Sequence, residues 1–88
     1  MSNDSSKYWK TPDIHLAAFL YARGAVVVGI DAVDRKPIYS FVDSTDRQAW
    51  YSDYHTGSPF IDVRIYVYAW RDLQQKSRRA ILESHEAR

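Results

Sequence analysis

The stretch FIDVRIYVYAWRDL, residues 60–73, holds the densest run of large apolar and aromatic side chains in the chain, and its period decides the fold. Counted in twos, Ile61, Val63, Ile65 and Val67 share one face and Asp62, Arg64, Tyr66 and Tyr68 the other, the pattern of a half-buried strand. Counted at the helical period, Val63, Tyr66, Val67, Trp70 and Leu73 form one stripe, while Arg64, Tyr68, Arg71 and Asp72 turn away from it. Only the helical count survives past Tyr68. The chain runs on into RDLQQKSRRAILES, residues 71–84, mostly good helix formers with no Gly or Pro before the terminus. The pattern predicts one long helix with Asp62 as its N-cap, weakened locally by β-branched residues. From sequence alone the strand alternative over residues 61–68 stays open.

The 88 residues suit one domain, and a chain this short buries only about 60–65% of the surface its unfolded form exposes. Seven Tyr, three Trp and three Phe supply large side chains for such a core. The absence of Cys excludes disulfides and thiolate metal sites. No apolar run approaches the roughly 20 residues that span a bilayer, and the N-terminus has no apolar signal core, so a cytoplasmic protein without membrane contact is expected. Charge is unevenly spread. Residues 25–62 carry three basic side chains (Arg35, Lys36, Arg47) against six acidic ones, and residues 63–88 carry six basic against three acidic. The last helix is therefore the basic part of a polarised chain.

In chain order, residues 1–7 read as a disordered tail, 8–84 as one α+β domain and 85–88 as a C-terminal tail. Tyr8 and Trp9 are costly to leave in water and are expected to fold back onto the domain. A first helix starts with Thr11 as N-cap, Pro12 at the first helical position and Asp13 in the first turn, and stops at Gly24. Its Ile14, Ala17, Ala18 and Tyr21 share a face that Leu16, Phe19 and Leu20 widen, so most of its circumference is expected to be buried. Residues 25–32, AVVVGIDA, and 38–42, IYSFV, read as an antiparallel hairpin joined through AVDRKP, with Gly29 marking a bulge or a close helix approach. Asp43 and Ser44 open a second helix with Ala49, Trp50 and Tyr54 on its apolar side and Gly57 as its stop; Ser58 and Pro59 break the chain before the last helix. The expected architecture is a hairpin packed with three helices in the order α-β-β-α-α, the last helix long and basic.

The opening KTPDIHLAAFLYARG, the strand VVVGID, the FVDS that closes the second strand, Gly57 and VRIYVYAWRDL together resemble a family of short, functionally uncharacterised domains from bacteria and their phages. The resemblance covers residues 8–73. It implies an α+β fold with a helical final segment and a phage or mobile-element setting, and it hands over no catalytic residue.

The chemistry-bearing residues give no catalytic constellation. His15, His55 and His85 are scattered with no ligand spacing, and Asp13 and His15 lie two apart, which on a helix points them away from each other. There is no nucleophile elbow and no glycine-rich phosphate loop. No enzyme, metal or cofactor is expected. Two surfaces remain. Arg64, Arg71, Lys76, Arg78 and Arg79 on the last helix could face a DNA or RNA phosphate backbone, although basic residues near a helix C-terminus are also favoured by its dipole. Tyr51, Tyr54 and Tyr68 could form a protein-binding or self-association surface, since Tyr and Arg dominate interface hot spots, whereas Trp50 and Trp70 are expected in the core.

Overall fold

A computed structural model describes residues 7–56 and 60–86. The elements are β1 (Tyr8–Thr11), α1 (Ile14–Arg23), β2 (Val27–Val33), β3 (Lys36–Val42), α2 (Thr45–Thr56) and α3 (Val63–Glu86). The class is α+β with three helices, but the order is β-α-β-β-α-α and the sheet has three antiparallel strands, arranged β1-β3-β2. The residues expected to fold back, Tyr8 and Trp9, do so as a strand. Tyr8 pairs with Val42 and Thr11 with Tyr39.

This strand moves the start of α1. Thr11 is committed to the sheet, so the N-cap is Asp13, whose carboxylate accepts from the backbone N–H groups of His15 and Leu16, and Thr11 instead takes the Asp13 N–H on its hydroxyl. The stop is where the glycine placed it. Gly24 has φ 114°, and the Gly24 and Ala25 N–H groups donate to Tyr21 and Leu20 carbonyls, the pattern of a Schellman cap. Leu16 to Leu20 are all buried, as the wide apolar arc requires.

The hairpin turn is tighter than the AVDRKP loop. Asp34 and Arg35 alone form it, with φ 52° and 66°, the two positive values that match the strand twist, so Val33 pairs with Lys36 and Pro37 enters β3. Pro37 is tolerated because β1 reaches only to Tyr39, leaving no strand on the side its missing N–H would face. Val28 is the extra residue of a bulge between the pairs Val27–Phe41 and Gly29–Ser40. No atom lies within 4 Å of where a Gly29 Cβ would stand, so of the two expected readings the bulge holds and the close helix approach does not.

All three helices lie against one sheet face. Tyr39 and Phe41 of the central strand, Leu16 to Leu20 of α1 and Leu73 of α3 form the core, with Trp9, Ile30, Trp50 and Trp70 packed against it. The opposite face, with Tyr8, Lys10, Val28 and Val42, is exposed. Ser44 caps α2 through Arg47 N–H, and Trp50 and Tyr54 face the core, but Ala49 is exposed. The stop expected at Gly57 and the break at Ser58 and Pro59 lie outside the described residues, as do residues 1–6 of the expected tail. α3 runs to Glu86, and the last two residues of the tail expected at 85–88 are likewise outside the description.

Candidate nucleic-acid interface

Residues 63–68 are helical. Asp62 caps α3, accepting the Arg64 N–H at 2.8 Å, and the ladder begins with Tyr66 N–H to Asp62 C=O. The buried side runs through Tyr66, Ala69, Trp70, Leu73 and Ser77. Val63, expected in the stripe, is 72% exposed, and Phe60 beside it 84%, because the first turn projects beyond the packed layer.

Opposite the buried side is a solvent-facing ridge. At about 100° per residue, positions seven apart differ by only about 20°, so Arg64, Arg71 and Arg78 fall on one line with rises of about 10 Å between them. Arg79 and Tyr68 flank this line, and all five side chains are exposed. No carboxylate pairs with the four arginines among the described residues. A row of solvated, unpaired guanidiniums can take phosphate oxygens bidentately without first breaking an ion pair.

Lys76, the fifth expected basic residue, leaves this line. It bonds Asp72 at 2.9 Å and approaches the Tyr21 hydroxyl at 3.5 Å. The Tyr21 hydroxyl donates to the same carboxylate oxygen at 2.6 Å, and that bond and Lys76 hold the Asp72 carboxyl below its ordinary range, while Asp72 raises Lys76. This cluster ties α1 to α3. The Asp72–Lys76 spacing of four was legible as a helical ion pair; its docking on Tyr21 was not.

Of the three tyrosines expected to act together, Tyr51 and Tyr54 share α2 and both pack against His55, whereas Tyr68 is on α3. Tyr54 is half-buried, its ring 5.3 Å from that of Phe19, and burial followed by the Asp13 charge raises its pKa. Tyr51 lies edge-on to Trp9 at 5.4 Å and over His55 at 4.4 Å. Only Tyr68, on α3, stands free, 69% exposed. Beside it, Tyr21 and Ala22 of α1 and Ile65, Ala69 and Asp72 of α3 line an open groove, two of whose residues are alanines. Ile65 is 50% exposed, so an apolar flank adjoins the basic ridge.

Among the described residues no three His, Asp or Glu side chains converge as metal ligands, and no helix is long and apolar enough to cross a membrane. His15 Nδ1 faces the Tyr66 hydroxyl at 3.4 Å, and the Tyr66 pKa is raised by burial, then by Tyr54 and Asp13. No curated protein and no solved structure matches the chain. A family model does match, over residues 6–79, which spans every strand, α1, α2 and most of α3: the chain belongs to the family described as domain of unknown function DUF5659.

Proposed function

We propose that this protein is a non-enzymatic accessory module that associates with nucleic acid through the outer ridge of α3. The observation that carries the reading is the line of Arg64, Arg71 and Arg78 with Arg79 beside it, all exposed and none paired to a carboxylate among the described residues. Lys76 is left out of the contact set, because its ammonium is engaged by Asp72. The phage or mobile-element setting implied by the sequence resemblance suits such a module.

Fluorescence anisotropy of labelled oligonucleotides tests it. Four phosphate contacts predict a loss of about 50- to 150-fold in affinity between roughly 50 and 200 mM salt. Arg78→Glu with Arg79→Glu is expected to abolish binding at the higher salt, and Lys76→Gln to change it little. Absence of binding at the lower salt overturns the proposal.

A second reading rests on one observation: Phe60, Val63, Ile65 and Tyr68 are four large apolar residues exposed within nine positions. Such a patch fits a protein partner or self-association. It predicts binding that tolerates salt, or a solution mass above 10.3 kDa that falls on Tyr68→Ala.

A further inference from the structure

The nucleic-acid reading leaves open whether the strand is paired, and the surroundings of Tyr68 bear on that. Resting on that reading, we infer that the site takes an unpaired strand, with one base stacked on the Tyr68 ring in the α1–α3 groove and the flanking phosphates on Arg64 and Arg71.

Three features of the groove carry this. Tyr68 is three residues from Arg71 and four from Arg64, so on the helix surface it is flanked by an arginine one turn away on each side, with Cβ atoms about 5–6 Å apart. Neither arginine has a carboxylate partner among the described residues. A tyrosine 69% exposed and flanked by two arginines is the arrangement that single-strand-binding surfaces use, because every base has a π-face and every nucleotide a phosphate. A duplex buries its π-faces in the stack and has no use for the ring.

The groove beside the ring is open to solvent, apolar along Ala22, Ile65 and Ala69, and polar at its far end. At that end Asp72 Oδ2 is occupied by the Tyr21 hydroxyl and by Lys76, whereas Oδ1 has no hydrogen-bond donor among the described residues. A base lying on Tyr68 would meet an apolar floor and then this acceptor, which suits the exocyclic amino group of cytosine. Lys76 neutralises the carboxylate charge locally, so Asp72 does not turn the adjacent phosphates away.

The experiment is anisotropy at about 50 mM salt with fluorescein-labelled oligo-dT and oligo-dC of about 20 nucleotides and a duplex of the same length, for the parent, Tyr68→Ala, Tyr68→Trp and Arg71→Glu. The single strands are expected to bind more tightly than the duplex. Tyr68→Ala should weaken single-strand binding by about five- to 150-fold, the range of one stacked base, and leave the duplex unchanged, while Tyr68→Trp retains it. Arg71→Glu should weaken both. Duplex binding that fails on Arg71→Glu while Tyr68→Ala is silent on the single strands overturns the inference and leaves the basic ridge standing. Absence of any oligonucleotide binding overturns both. A fall in solution mass on Tyr68→Ala, with no effect on oligonucleotides, assigns the ring to self-association and also overturns the inference.

Discussion

Arg47 is 7% exposed, and its position explains how so small a core tolerates a charge. The guanidinium lies 4.4 Å from the Trp9 ring centroid and 5.7 Å from that of Tyr51, and its Nε and Nη2 donate to Asp43 Oδ1 at 2.9 and 2.8 Å. The planar head thus fills a slot between strand β1 and helix α2 that neither an ammonium nor an alkyl chain matches. Asp43 remains partly solvated and also accepts the Ser44 N–H, so losing the arginine does not strand a bare buried charge. Arg47→Ala is expected to lower stability by about 2–3 kcal/mol and Arg47→Lys by about 1–2 kcal/mol. Urea denaturation should show the midpoint falling with its slope unchanged. In the sequence Arg47 reads as one of three basic residues in an acidic segment. Its spacing of four from Asp43 was a legible ion pair, but burial was not, because Trp9 comes from a strand 38 positions earlier.

At the scale of elements, most of the features written within a few residues held, and the pairing of distant segments was the harder part to read. The α1 stop at Gly24, the Asp62 cap, the bulge at Gly29 and the helical period of residues 63–73 are each written within a few residues. β1 is four residues long and its partner lies about 30 positions away, so the outward Tyr8 and Lys10 and inward Trp9 and Thr11 carried too short an alternation to outweigh a cap reading of Thr11. The hairpin turn escaped because Asp34 and Arg35 adopt positive φ without the Gly that usually marks such turns. In the candidate site, the seven-residue spacing of the arginines was legible, whereas Ala22 and Tyr21 reach the groove only through the packing of α1 on α3. Gly24 gives the test for this level. A Cβ there would meet Trp50 at 3.8 Å, an ordinary contact, so the cost of Gly24→Ala is backbone strain at φ 114°. The expected loss is about 1–2 kcal/mol, read by thermal or urea unfolding, with the α1 helical signal otherwise retained.

At the scale of the whole molecule, the titrating groups point to alkaline lability. Burial raises the Tyr39, Tyr54 and Tyr66 hydroxyls above their ordinary 10.0, and Asp72 raises Lys76 above 10.5. Each folded-state pKa exceeds its unfolded value, so each contribution is complete below the unfolded value and is lost as pH rises through the folded one. Stability is therefore expected to fall steeply above about pH 10. Asp72 works at the other end: its lowered pKa stabilises above 3.8 and is lost as pH falls through the folded value. Tyr39 separates the causes. Its hydroxyl is buried without a hydrogen-bond partner among the described residues; the Ser77 hydroxyl nearby favours the phenolate but donates to the Gln74 carbonyl. Tyr39→Phe should be neutral or stabilising by up to about 1 kcal/mol at pH 7 and should shallow the alkaline loss, measured by urea midpoints across pH.

The exposed borders of the sheet, finally, bear on how the chain keeps company with copies of itself. β3 carries the most deeply buried strand residues, and β1 occupies the side of it that would otherwise offer unpaired backbone groups to a foreign strand. The two strands left at the borders are poor templates. β1 is only four residues long, carries an outward Lys10 and is followed by Pro12, and the Val28 bulge distorts the pairing of β2. Short length, lysine, proline and a bulge are the devices by which sheet proteins discourage strand addition. The four residues of β1, whose strand pairing the sequence hid, thus guard against aggregation by covering the strand whose exposure would invite it.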